Sequence, residues 1–203
     1  MHVISNILET IPEAALRQAS VRKEHSVLLV IDMQKYFREI AGSIVENLST
    51  LIRTCREESV PVVYTQHGYE DPDGESGMLG EWWGDPIVVG TEEWDFMDDI
   101  APLENEKVIR KKRYSAFYRT DLEEILRTLG ITDIIIGGVM TNLCCETTAR
   151  DAFVRDFRVF FLVDGTATVS EEYHFASLRN LAYGFAYLKQ CEEIIEVLRS
   201  GYE

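Results

Sequence analysis

Three side chains with complementary proton chemistry stand at the ends of short apolar runs. Asp32 closes His25–Asp32 (HSVLLVID), Lys111 follows Lys107–Arg110 (KVIR), and Cys144 follows Asp133–Val139 (DIIIGGV). A thiol can attack a carbonyl carbon, a carboxylate can accept the thiol proton, and an ammonium beside them favours the thiolate and holds the carboxylate in place. Each residue also has a plainer reading. A strand-end carboxylate can cap the next turn, a cysteine can fill space, and a lysine after a strand usually faces solvent.

Cys144 is set apart by its position, just after a glycine-containing run and at the start of a helical pattern. Thr141 or Asn142 is expected to cap that helix. Free N–H groups of a first helical turn stabilise a thiolate, lower its pKa from about 8.5, and can hold the oxyanion that forms on attack. Cys145, turned about 100° around the helix, is expected to pack on the sheet. Lys111, Lys112 and Arg113 form a basic cluster in an acidic chain, which favours one cation pointing inward. His67 has no second ligand at metal spacing and reads as a polar wall residue. No GxGxxG or Walker sequence occurs, so no nucleotide cofactor is expected.

Such residues need a frame. The Val- and Ile-rich runs His25–Asp32, Val60–His67, Lys107–Arg110, Asp133–Val139 and Arg158–Asp164 are near-continuously apolar, as strands covered on both faces are. Between them Ile44, Leu48, Leu51, Ile52 and Cys55 recur at helical spacing. So do Leu122, Ile125, Leu126 and Leu129, ended by Gly130 as a C-terminal cap. Asn142–Phe157 reads as a helix with Ala149, Ala152 and Phe153 on one face, and Glu171–Ala182 and Cys191–Leu198 complete the set. The alternation predicts an α/β fold: a three-layer α/β/α sandwich on a doubly wound, mostly parallel sheet of about six strands. Ligands of such sheets bind beyond the carboxyl ends of the strands, where Asp32, His67, Lys111 and Cys144 fall. Residues 68–99, rich in Gly, Asp and Pro and carrying Trp82, Trp83 and Trp94, read as an insertion in a single domain spanning 1–203.

Composition narrows the partners. The formal net charge of −15 argues against nucleic acid and against anionic lipid. No apolar run reaches the roughly 20 residues a membrane span needs, and Met1–Arg22 lacks the apolar core of a secretory signal. The four cysteines form neither a disulfide framework nor a CxxC pair, which suits a reducing cytoplasm, and Cys55 and Cys191 read as small core hydrophobes. The expected partner is a small molecule. The tryptophan-rich insertion and the aromatic C-terminal stretch suggest a homo-oligomer, a dimer or tetramer.

Three segments carry a family resemblance. Leu29-Val30-Ile31-Asp32-Met33-Gln34 with Phe37, Lys111-Lys112-Arg113-Tyr114-Ser115-Ala116-Phe117, and Gly138-Val139-Met140-Thr141-Asn142-Leu143-Cys144 running on to Phe153 resemble the aspartate, lysine and cysteine motifs of the isochorismatase-like cysteine hydrolases. The resemblance covers about His25 to Cys191. It implies Cys144 as nucleophile, Asp32 as base, Lys111 as third member, a cis Val139–Met140 peptide, and an oxyanion hole made by the N–H groups of Met140 and Cys144.

True isochorismatases commonly carry Gly at the position of Cys144, so the thiol points to amide hydrolysis through a thioester. Met78–Trp83, Gly138–Arg150 and Asn180–Leu188 look like the plant-type nicotinamidases. Microbial nicotinamidases carry an Asp-x-His metal motif after the second strand. Thr65-Gln66-His67-Gly68-Tyr69 departs from it, so no metal is expected. Phe37, Trp82, Trp83 and Tyr114, with Gln34 and His67, are the candidate substrate walls. Two alternatives stand beside amide cleavage. One is vinyl-ether hydrolysis of isochorismate driven by Asp32, with Cys144 a bystander. The other is a non-catalytic binding protein on the same fold.

Overall fold

The computed structural model describes residues 16–200. Most of Met1–Arg22, and His2, therefore lie outside the described residues. Six strands form one parallel sheet in the order β3-β2-β1-β4-β5-β6: β1 Ser26–Ile31, β2 Val62–His67, β3 Lys107–Lys111, β4 Asp133–Val139, β5 Arg158–Ala167 and β6 Tyr187–Lys189. All six residues of β1 and all seven of β4 are buried, which explains their unbroken apolar character.

Alternate residues of β1 feed two cores. Val27, Leu29 and Ile31 pack with residues of the helices Leu122–Thr128, Glu146–Val154 and Glu171–Gly184. Leu28 and Val30 pack with residues of the helices Val45–Glu57 and Cys191–Ser200. The period of two along the strand is thus what makes three layers. Cys55, Cys145 and Cys191 are buried in these cores, as expected.

Several boundaries differ from the sequence reading. β5 runs on to Ala167, past the expected end at Asp164, because its register against β4 shifts between Ile136 and Gly138. Asp164 Oδ1 accepts from Cys191 N at 2.8 Å, holding the start of the last helix rather than facing the sheet edge. The expected helix Asn142–Phe157 is a π-helical turn, Thr141–Cys145, followed by an α-helix that stops at Val154. Of the three residues expected on one face, Ala149 and Ala152 are buried while Phe153 is exposed, its ring 5.4 Å from that of Phe185. Leu129 is likewise exposed beyond the end of its helix. β6 was hidden in the sequence because three half-buried residues carry too little periodicity to read.

The strand order reverses direction beside β1, since β2 and β3 lie to one side and β4 to the other. The carboxyl ends of β1 and β4 therefore flank the switch point, where a crevice opens. Gly138 sets how closely they approach. Its φ is +117°, and a Cβ there would lie 2.1 Å from Ile31 O and 2.7 Å from Ile31 N. Both neighbours are backbone atoms of a central strand and cannot step aside. Gly138→Ala is therefore expected to cost ~4 kcal/mol or more, the range reserved for named steric failures. Urea denaturation measures it, and a loss below about 1 kcal/mol would show that the two strand ends tolerate separation.

Candidate active site

Asp32 is the first residue after β1 and has φ +47°, a left-handed conformation that aspartate tolerates better than most residues. A reciprocal pair fixes its side chain. Asp32 N donates to Thr65 Oγ1 at 3.1 Å, and Thr65 Oγ1 donates to Asp32 Oδ1 at 2.6 Å. Thr65 is buried on the neighbouring strand. Sequence reasoning missed it, although a hydroxyl interrupting the apolar run of β2 was a signal.

Lys111 ends β3, two strands away from β1, roughly 10 Å across the sheet. Only a long side chain crosses that gap. Its Nζ reaches Asp32 Oδ2 at 2.7 Å, Cys144 Sγ at 3.2 Å and the carbonyl of Arg113 at 3.0 Å, with both ionic side chains fully buried. Burial alone lowers the Lys111 ammonium's pKa, but Asp32 and Cys144 beside it hold the value above that of an ordinary lysine. Asp32 Oδ2 has this ionic neighbour but takes no well-directed hydrogen bond among the described residues.

Cys144 lies in the π turn. The Met140 carbonyl accepts from Leu143 N at 3.1 Å and Cys145 N at 3.2 Å. Neither expected cap forms. Thr141 Oγ1 lies 2.9 Å from His174 Nδ1, and Asn142 Oδ1 accepts from Thr168 Oγ1 at 2.6 Å. Both side chains instead tie the turn to the elements packed against it. The thiol pKa is also the reverse of expectation. Burial pushes it up to about 12 and Asp32 adds to the rise, against which Lys111 acts in the other direction. Desolvation is the largest of these influences and favours the neutral thiol. The Val139–Met140 peptide is cis.

A cavity of about 350 Å³ opens on Cys144 and is lined by Phe37, His67, Trp83 and Tyr114 from the predicted walls. Trp83 Nε1 donates to Tyr114 Oη at 2.8 Å, joining the insertion to the segment after β3. Met140, Tyr36, Tyr69 and Leu79 line it as well, the last three unforeseen because nothing in their local pattern marks them.

Two predicted walls are elsewhere. Trp82 is 74% exposed and lies outside the cavity lining, because adjacent residues on the short helix Met78–Trp83 face different ways and Trp83 takes the inner side. Gln34 is fully buried and spends its carboxamide on backbone: Nε2 donates to His67 O at 2.9 Å and Trp94 O at 2.8 Å, and Oε1 accepts from His67 N at 2.8 Å. It stitches the exit of β1 to β2 and to the insertion.

The His67 ring is neutral near pH 7. Burial pushes its pKa down to about 4, and the nearby Lys111 charge adds to this. Among the described residues no three His, Cys, Asp or Glu side chains cluster to hold a metal ion, and no helix is long and apolar enough to cross a membrane.

The depressed His67 value has a consequence for stability. Above pH 6.5 the ring is neutral in folded and unfolded chains and contributes nothing. As pH falls from 6.5 toward 4 the unfolded chain binds a proton that the folded chain refuses, so stability is lost across that window. Relative to His67→Gln, the parent chain is expected to lose about 2 kcal/mol more on going from pH 7 to pH 5. Urea midpoints at the two pH values measure this, and equal losses in both proteins would place the ring in water rather than in the cavity wall.

Comparisons with known proteins bear on the family and the fold. The Isochorismatase domain family model matches residues 26–193. Nicotinamidase 3 of Arabidopsis thaliana is 46% identical over 181 residues, covering 88% of this chain and 91% of that protein. The isochorismatase of Bacillus subtilis (strain 168) is 35% identical over 184 residues, 87% of this chain but only 59% of its own length. A cysteine hydrolase from Pseudomonas syringae pv. phaseolicola 1448A superposes with a TM-score of 0.87 at 26% identity, covering 95% of this chain and all of that one.

Proposed function

The chain belongs to the isochorismatase-domain family of hydrolases, and from that premise we propose that it hydrolyses a small, uncharged, ring-bearing carboxamide through a thioester on Cys144. The observation that carries the reading is the buried contact set in which one ammonium touches both Asp32 and Cys144.

In this mechanism the thiol starts neutral, so attack and proton loss are coupled. Asp32 takes the Sγ proton as Sγ bonds to the amide carbon, and Lys111 offsets the charge that develops on sulfur. The N–H groups of Met140 and Cys144 receive the oxyanion. Asp32 then passes its proton to nitrogen, and the C–N bond breaks to release ammonia. Water, deprotonated by the same carboxylate, hydrolyses the thioester to the carboxylic acid and returns the thiol. Thr65 orients Asp32 throughout.

Charge separates this reading from isochorismate hydrolysis. Isochorismate carries two carboxylates, whereas among the described residues no Arg or Lys lines the cavity and Asp85 adds a negative charge at its rim. Lys111 has already committed its ammonium to Asp32. The aromatic walls at Phe37, Trp83 and Tyr114 favour a flat neutral ring. The similarity to Nicotinamidase 3 makes nicotinamide the first amide to try.

We read residues 1–203 as one domain whose insertion at 68–99 walls the site. The exposed Trp82 and Trp83 favour a homo-oligomer, and the four free cysteines suit a reducing cytoplasm.

The test is a panel of small carboxamides scored by ammonia release, with isochorismate in parallel. Saturable turnover of a neutral aromatic amide is the expected result. Turnover of isochorismate with no amide cleaved would replace this reading by vinyl-ether hydrolysis.

A further inference from the structure

A second cavity, of about 440 Å³, lies against the edge strand β3 and is distinct in charge from the first. Arg110, Lys112, Arg113 and Arg119 line it, with Glu75 as the one acidic residue. Lys111 lines it too, but its ammonium is engaged with Asp32 and Cys144. In a chain of net charge −15, three net positive charges are gathered in one hollow.

The way these cations are held is unusual. Among the described residues, Arg110, Arg113 and Arg119 form no ion pair, and Lys112 pairs with Glu75. Their orientation comes instead from uncharged groups. Arg113 Nη1 donates to the carbonyls of Glu75 at 3.0 Å and Lys112 at 2.6 Å. Gly77, at φ +54°, leaves room for it: a Cβ there would lie 2.7 Å from Arg113 Nη2. Arg110 lies 5.2 Å from the Trp94 ring centroid, and Arg119 lies 5.2 Å from that of Tyr118.

Charges on an edge strand discourage sheet-to-sheet pairing, and that role accounts for Arg110. It does not account for Arg113 and Arg119, which lie beyond the strand and form no ion pair among the described residues. Guanidinium forks match the oxygens of phosphate, two at a time. We propose that this cavity binds a small molecule bearing a diphosphate, whose charge near pH 7 matches the three uncompensated positive ones. The site stands apart from the amide chemistry proposed above, although Arg113 also supplies a carbonyl that orients Lys111 Nζ.

Isothermal titration of the full chain with inorganic pyrophosphate tests the assignment, with sulfate at equal ionic strength as the comparison. Saturable one-site binding of pyrophosphate is expected, tighter than that of sulfate. It should weaken at least tenfold in Arg110→Ala/Arg119→Ala, with the melting temperature and the activity without pyrophosphate unchanged. Arg119→Glu gives an independent check and should weaken binding further. Absence of saturable binding, or equal binding in parent and variants, overturns the proposal. So does a change in sedimenting mass of the double variant when the parent binds no pyrophosphate, an outcome that would give the surface to a second copy of the chain.

Discussion

Replacing Cys144 with alanine is expected to lower ammonia release from a responsive carboxamide by roughly 10³-fold or more, because the acyl bond of the proposed mechanism forms on its sulfur. The fold should survive. The residue removed is small, and the π turn is also held by Thr141 on His174 and by Asn142 with Thr168. Substrate affinity should change little, since the walls Phe37, Trp83 and Tyr114 remain. Cys144→Ser sharpens the test. The hydroxyl keeps a polar atom near Lys111 Nζ but is a far weaker acid than the thiol, so Asp32 deprotonates it less readily and turnover should stay close to that of the alanine variant. Initial rates with circular dichroism melting for each protein measure these effects. Turnover within tenfold of the parent in Cys144→Ala would transfer the chemistry to Asp32 alone.

The second large effect concerns charge burial. Lys111 and Asp32 form an ion pair of 2.7 Å in which neither side chain is exposed. Such a pair contributes little net stability, but losing one partner strands the other in a low-dielectric site. Lys111→Met is therefore expected to cost about 3–5 kcal/mol, besides abolishing turnover. Asp32→Asn alone leaves an uncompensated ammonium and should cost a similar amount. The double variant Asp32→Asn/Lys111→Met removes both charges and should regain much of the lost stability while remaining inactive. That separation of stability from activity marks a pair kept for chemistry. If the double variant is as unstable as the sum of the singles, the pair does not act as a unit, and the coupled proton transfer proposed for Asp32 loses its support.

Thr65 shows how the site depends on contacts the chain does not announce. Its hydroxyl both accepts from Asp32 N and donates to Asp32 Oδ1, from a strand 33 residues downstream. A sequence scan sees only a polar residue in an apolar run. Gln34 shows the converse. Two residues beyond Asp32 it reads as a group aimed at substrate, yet its three hydrogen bonds all go to backbone. A buried amide must satisfy its donors and acceptor, and here the strand exits offered them first.

By itself the sequence determined the layering and the edge at which chemistry gathers. Near-continuous Val and Ile runs separated by amphipathic stretches admit few folds besides a parallel sheet between helix layers, and the ends of those runs put Asp32, Lys111 and Cys144 on one rim. Those signals are local, carried by periods of 2 and 3.6 residues. Tertiary structure alone decided that Lys111 spans two strands to touch both partners, that Trp83 rather than Trp82 walls the cavity, and that burial raises the pKa of the Cys144 thiol. Each of these depends on which distant groups meet and on how much water is excluded when they do, and periodicity encodes burial without naming the neighbour.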